Sequence, residues 1–266
     1  MDYFIFYYFY KIIFIKKNKY GNFINHKFRS SEYKLFIKKN DRNVPFMLLN
    51  KQMHKIDYIY NHSMKNNTQN FFDFGSNYGE FIFPLREVKN IVSIDAYKDL
   101  IECQKITFFD KKITFINKMI SFKKGYSEFY LNEFSGTSSH KLSQNPKYPT
   151  TKKVNVDTVD VASIFDKLYY ENTIIKIDIE GMESVALKAI LNIENKFQKD
   201  TLIFFEYNIN SISKFNEISL IIKELKKKNF TLRFIHPSKE KFKANGEVKL
   251  ESLEENLVGD YVLLRN

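Results

Sequence analysis

Cysteine, glycine and proline are all scarce in this chain, and each scarcity narrows what it can be. One cysteine, Cys103, among 266 residues cannot form an internal disulfide, which fits a reducing compartment rather than a disulfide-stapled secreted fold. It lies in the helical-looking stretch YKDLIECQKITFF with no His or Asn motif around it, so it reads as a small core residue and not a nucleophile. Only eight glycines and five prolines interrupt the chain, and it has no internal repeat or long low-complexity segment. With 44% hydrophobic and 17% aromatic residues, the composition is that of a globular protein. Clusters of arginine interleaved with aromatics are missing too. The net charge of +11 comes from dispersed lysine, which favours anionic surfaces in general without pointing to nucleic acid. The five histidines, at 26, 54, 62, 140 and 236, show no paired metal-ligand spacing.

A membrane-length apolar run is also lacking. The aromatic stretch from Tyr3 to Ile15 is broken by Lys11 and falls short of the roughly 20 residues a span requires. No basic region precedes it and no small-residue cleavage site follows, so it does not read as a secretory signal. Two roles remain open. The segment docks on the domain or on a second subunit in a homo-oligomer, or residues 1–20 touch anionic lipid through the lysines at 16, 17 and 19. The expected location is cytoplasmic, with the inner membrane surface as the second option.

What is present is a rhythm. Residues 42–64 carry apolar positions at spacings of three and four, predicting an amphipathic helix, and the polar KNNTQN that follows predicts a linker. Beyond it, short apolar runs at Phe71–Phe74, Ile91–Ile94, Ile113–Ile116, Ile174–Ile177 and Leu202–Phe205 alternate with helix-like stretches. That pattern predicts an α/β fold with a mostly parallel sheet covered on both faces. The expected division is an N-terminal extension over 1–66 and one larger domain over 67–266. Between Ser121 and Val156 the rhythm breaks: alternating EFYLN, a Gly/Ser/Pro-rich stretch and KVNV predict a β-hairpin insertion before the fourth strand, with a long loop poised over a site. A helix over 212–228 and the strands FTLRFI and YVLLR complete the sheet, with an antiparallel last strand.

Two constellations carry chemistry. In FFDFGSNYGEF a strand ends in Asp73 and turns through Gly75, Ser76, Asn77 and Gly79 toward a helix. Glycines admit positive φ and close approach of a ligand, and a helix N-terminus offers free N–H groups. The next strand ends in Asp95, 20 residues after Gly75, followed by Ala96. An acid at that place accepts hydrogen bonds from ribose hydroxyls, so the pair describes a nucleoside site. The second constellation is IIKIDIEGMES, an apolar strand that delivers Asp178 and Glu180, with Glu206 closing the neighbouring strand LIFFEY. Acids there are costly without a partner, and in open α/β sheets the ligand crevice lies at those carboxyl ends. These carboxylates could accept a proton, cap the following helix or hold a hard cation; the expectation carried forward is a site without a resident metal. Glu183 reads as a first-turn helix acid, and His140, after GTSS in the insertion, is a candidate base. The tetrapeptide NPKY at 145–148 is similar to the Asn-Pro-Pro-Tyr of amino-methylating nucleic-acid enzymes, but it follows polar SHKLSQ and belongs to a loop.

FFDFGSNYG resembles the D-x-G-A-N-x-G turn of the FkbM family of S-adenosylmethionine (SAM)-dependent methyltransferases, and IIKIDIEGMES resembles that family's K-I-D-V-E-G-x-E segment. NKMISFKKGYSEFYLN, SGTSSH, VDTVDVASIF and LIFFEYN are similar to further family segments in the same order, so the resemblance covers about residues 70–208. It implies the Rossmann-like seven-stranded class I methyltransferase sheet and SAM as methyl donor. Carried over, Asp73, Gly75, Ser76, Asn77 and Gly79 would line the methionine end and ribose, with Asp95 and Ala96 beside the ribose. Ile120 and Ser121 would flank the adenine, and Asp178 would sit near the methionine amino group or the acceptor. The implied reaction is O-methylation of a sugar, polysaccharide or small natural product, with Asp178, Glu180, Glu206 or His140 serving the acceptor. An RNA methyltransferase and a non-catalytic scaffold of the same fold are the alternatives. Three positions depart from the family: Asp95-Ala96 replaces Glu-Pro, Ser76 replaces Ala, and Pro84 falls where the turn's helix should run, predicting a short or kinked helix.

Overall fold

The computed structural model describes residues 21–39, 41, 52–143, 147, 149–165, 172–207, 215–235 and 259–266. The aromatic segment at 3–15, the first part of the predicted 42–64 helix, most of NPKY and His236 lie outside the described residues.

The described residues begin with a hairpin that composition alone does not suggest. Strands β1 (Gly21–Phe28) and β2 (Ser31–Lys38) pair antiparallel across a two-residue loop, with Phe28 opposite Ser31. The predicted amphipathic helix is α1 (Met53–Asn66), which buries Ile56 and Ile59. The five predicted central strands follow within one or two residues: β3 (Asn70–Phe74), β4 (Asn90–Asp95), β5 (Ile113–Asn117), β9 (Thr173–Ile177) and β10 (Leu202–Tyr207). With β11 (Phe230–Ile235) and β12 (Gly259–Arg265) they form one seven-stranded sheet, ordered β11-β12-β10-β9-β3-β4-β5. The five central strands run parallel, while β12 lies antiparallel between β10 and β11. This is the Rossmann-like class I methyltransferase sheet.

Both faces of the sheet are buried because its strands alternate between two apolar clusters. Phe72, Phe74, Ile175, Ile177, Ile203 and Phe205 face one cluster, shared with helix α4 (Glu183–Asn192) and helix α5 (Phe215–Lys227). Phe71, Ile174, Leu202 and Phe204 face the other, which holds Ile24, Tyr33, Leu35, Ile37, Ile56 and Ile59 from the N-terminal hairpin and α1, and Leu100 from helix α2 (Lys98–Thr107). Period-two burial of both faces is what a near-continuous apolar strand requires.

The insertion is larger than a hairpin. β7 (Gly125–Asn132) and β8 (Thr150–Asp160) pair antiparallel, as expected, and the short β6 (Met119–Ser121) adds in parallel to β8, giving a separate three-stranded sheet. Helix α3 (Val161–Phe165) leads back toward β9. No α-helix follows the glycine turn. Asn77 (φ 50°) and Gly79 (φ 81°) take positive φ, and the segment settles into turns and a single 3-10 helix, Phe83–Leu85, with Pro84 at its start. Proline has no N–H to give an α-helix interior, and the left-handed residues before it break the helical path. The helix N-terminus expected as an anion cradle is therefore replaced by a turn.

Candidate functional site

The turn after β3 is held shut by the protein itself. Gly75 and Ser76 donate their N–H groups to the Ile94 carbonyl at 2.9 and 3.1 Å, and Gly79 donates to Ser76 O at 2.8 Å. A Cβ on Gly75 would stand 1.7 Å from the Asp178 carbonyl oxygen, and φ there is 77°, so only glycine lets β3 and β9 end this close together. Ser76, Ser93 and Gln104 exchange hydrogen bonds of 2.6–2.8 Å beneath the turn, and Gln104 Nε2 also donates to Asn77 O at 2.7 Å. Ser76, the departure from the family's alanine, thus has a buried network to join.

Beside the turn, strand register places Asp73 directly opposite Lys176. Lys176 is 2% exposed; its Nζ lies 3.2 Å from Asp73 Oδ1, 3.8 Å from Asp178 Oδ2, and donates to Gly75 O at 2.6 Å, with the Phe81 ring 5.0 Å away. Burial by itself lowers the Lys176 pKa, but Asp73, Asp178 and Glu80 together hold it above the usual lysine value. Asp73 is fully buried and its carboxylate serves that lysine, so it braces the strand end rather than facing a crevice. Glu80 is equally buried; desolvation lifts it to about 7 against the pull of Lys176 and the Asn77 amide, which donates to it at 3.1 Å. Neither Lys176 nor Glu80 is among the site residues that the sequence predicts. A lone lysine inside the apolar run IIKI was the available signal for Lys176, whereas nothing marked Glu80.

Asp95 ends β4 half-buried. Its Oδ2 accepts the Asn77 N–H at 2.9 Å and its Oδ1 the Tyr97 N–H at 2.8 Å. Desolvation raises its pKa to about 6 despite those bonds. Each carboxylate oxygen keeps a second lone pair for a hydroxyl donor, so the residues present fit a ribose diol. Ala96 packs with Tyr97 against Met119, Phe129 and Leu131. Ile120 is buried in the sheet's apolar cluster on β6, with half-buried Ser121 after it.

The insertion reaches the turn through Ser135, whose hydroxyl donates to Asn77 Oδ1 at 3.2 Å. Asp41 clamps the two together, accepting from the Ser135 N–H at 3.2 Å and from the Tyr78 hydroxyl at 2.6 Å. Asn77 is thereby engaged on both sides of its amide. His140 lies beyond Ser138 and Ser139, which bond to Asn132 and Tyr130 within the insertion.

At the next two strand ends stand the acids. Asp178 follows β9 and is 18% exposed. Glu180 (φ 50°) and Gly181 (φ 101°) turn the chain into α4, and Glu183 braces that turn by accepting the N–H groups of Ile179 and Gly181 at 2.9–3.2 Å. Glu183 is thus the expected first-turn helix acid. Glu206, 26% exposed, ends β10, and desolvation followed by the charge of Asp178 pushes its pKa to about 7. Lys55 Nζ approaches Glu206 Oε2 at 3.3 Å and Asp260 Oδ1 at 2.8 Å, and His54 Nε2 lies 3.4 Å from Asp260 Oδ2. Among the described residues no group of three or more His, Cys, Asp or Glu side chains is arranged to hold a metal ion, and no helix is long and apolar enough to cross a membrane. Cys103 is buried, which raises its thiol to about 12 and suits a core role.

No protein-family model matches the chain, and no curated protein does either. Solved structures with a similar chain path include the plantazolicin methyltransferase BpumL in complex with SAH (10% identity, TM-score 0.44, covering 82% of this chain and 84% of that one). SMU.1697c, a methyltransferase assignment from Streptococcus mutans solved with SAH, gives 10% identity and a TM-score of 0.45 over 79% and 97% of the two chains. The O-methyltransferase from Bacillus cereus with SAH gives 7% and 0.44 over 79% of each. At these values the likeness does not define the fold; the strand order of the sheet does.

Proposed function

We propose that the protein is a SAM-dependent methyltransferase, resembling the FkbM family, that methylates a hydroxyl on a sugar, polysaccharide or small natural product. One observation carries the reading: four adjacent parallel strands present, at one edge of the sheet, an acid for a ribose (Asp95), a glycine turn, and two carboxylates (Asp178 and Glu206). SAM, when bound, supplies an electrophilic methyl group on a cationic sulfur. Asp95 would hold the ribose hydroxyls. Asp178 and Glu206 would complement the donor's positive charge, and Glu206, poised near neutrality, would take the acceptor's proton. Removal of that proton would leave the acceptor oxygen's electron pair free for the methyl group that SAM supplies.

Charge also speaks to the acceptor. Asp178, Glu206 and Asp260 stand with two ammoniums, Lys55 and Lys176, at this end of the crevice, so it carries no excess of positive charge to draw a phosphodiester. A neutral hydroxyl compound suits it better than RNA. The test is methyl transfer from radiolabelled SAM to separate pools of mono- and oligosaccharides, hydroxylated small molecules and RNA. Label in the first two supports the reading. Label confined to RNA favours the nucleic-acid alternative, and SAM bound but never consumed favours a scaffold.

A further inference from the structure

Lys55 belongs to α1, outside the seven-stranded sheet, yet it enters the ionic cluster at the ends of β10 and β12. Register sets Glu206 opposite Asp260, and Lys55 bridges them at 3.3 and 2.8 Å with side chains 26%, 11% and 12% exposed respectively. His54, one residue earlier, meets the other oxygen of Asp260 at 3.4 Å. Immobilising a lysine in such a place costs rotamer entropy and desolvation, and apolar side chains of similar volume often stabilise as well or better. Stability alone is a weak reason for the arrangement. What it achieves is to fix the Glu206 carboxylate at a strand end facing Asp178.

We propose that Lys55 is a positioning residue for Glu206, through which the N-terminal helix completes the acceptor side of the site. The proposal rests on the methyltransferase reading. The charged groups facing Glu206 are Asp178 from the end of β9, Lys55 and His54 from α1, and Asp260 from β12. Burial by itself would lower the Lys55 pKa, but Glu206, Asp260 and Asp178 together carry it above the usual lysine range, so it stays charged. Burial and Asp178 raise Glu206, and Lys55 opposes them. Without the ammonium, Glu206 would hold its proton through neutral pH and could not accept one from the acceptor hydroxyl.

The experiment needs no acceptor. The full chain is labelled with carboxyl-13C glutamate, the Glu206 resonance is assigned by its loss in Glu206→Gln, and its titration is followed in the parent, Lys55→Arg, Lys55→Met and Asp260→Asn. Lys55→Met raises the midpoint by about one pH unit or more, Lys55→Arg leaves it near the parent value, and Asp260→Asn lowers it. Opposite shifts from two substitutions in one cluster do not arise from unfolding. A midpoint unmoved in both, or moved the same way, overturns the proposal. SAM lowers the midpoint more than S-adenosylhomocysteine does, because only SAM carries the sulfonium charge; equal shifts would put Glu206 away from the reacting sulfur and overturn the site assignment. A parent chain that binds neither ligand in calorimetry refutes the methyltransferase reading, while the titration still decides whether Lys55 holds Glu206.

Discussion

Lys176 shows how much a single buried charge organises here. Its ammonium stands among Asp73, Asp178 and Glu80 and also caps the Gly75 carbonyl. Lys176→Met leaves those carboxylates uncompensated and should cost roughly 3–5 kcal/mol in urea unfolding. Adding Asp73→Asn should recover a large part of that loss, because the buried pair is then replaced by neutral groups. Glu80 offers a cleaner pH test. Its folded pKa of about 7 exceeds the free value of 4.5, so its stabilisation is complete below 4.5 and is lost as pH rises through 7. Glu80→Gln keeps the Asn77 bond and never has to bury a charge. Thermal melts should therefore show the variant gaining on the parent between mildly acidic and mildly alkaline pH, by up to about 3 kcal/mol. A constant difference across that range would contradict the assignment. Residues of this kind were half legible: IIKI displayed its misplaced lysine openly, but the acids that neutralise it meet only through strand register.

Among the elements, the parallel strands were the most legible, because burial on both faces forces continuous apolar runs that no surface helix shows. The N-terminal hairpin was not legible for an identifiable reason. Its inward positions include His26 and Tyr33, and its two-residue turn uses Arg29, at φ 55°, and Ser30 in place of the Asn-Gly or Asp-Gly that marks such loops. The glycine turn was legible in position and misread in sequel, since its N–H groups are consumed by Ile94, Ser76 and Asp95 instead of heading a helix. Gly75→Ala should then be severe: its Cβ collides with the Asp178 carbonyl in a left-handed residue, pushing β3 and β9 apart. A loss of more than about 4 kcal/mol, or no cooperative unfolding at all, is expected in a denaturant melt. A variant within about 1 kcal/mol of the parent would mean the two strand ends have slack.

For the whole molecule, the carboxylates in and beneath the strand-end crevice share one tendency. Glu80, Asp95 and Glu206 all titrate above their free values, with desolvation the largest cause for each. Each contributes stability at low pH that is lost as pH rises through about 6 or 7, so the ligand-free protein should melt higher at mildly acidic than at mildly alkaline pH. A cationic donor in the crevice should offset part of that fall, giving SAM its largest thermal shift on the alkaline side. The N-terminal hairpin and α1 share the core of the sheet's second face, and α1 supplies Lys55, so this part of the chain reaches the crevice itself.

The central claim, that this strand-end crevice binds SAM through Asp95, is tested most directly by titration calorimetry of SAM and S-adenosylhomocysteine into the full chain, Asp95→Asn and Asp95→Ala. The account predicts one site per chain for both ligands and a loss of about tenfold or more in affinity for Asp95→Ala, about 1.4 kcal/mol, with Asp95→Asn between. No binding to the parent chain, or equal affinity for Asp95→Ala in a protein with an unchanged melting transition, would contradict it.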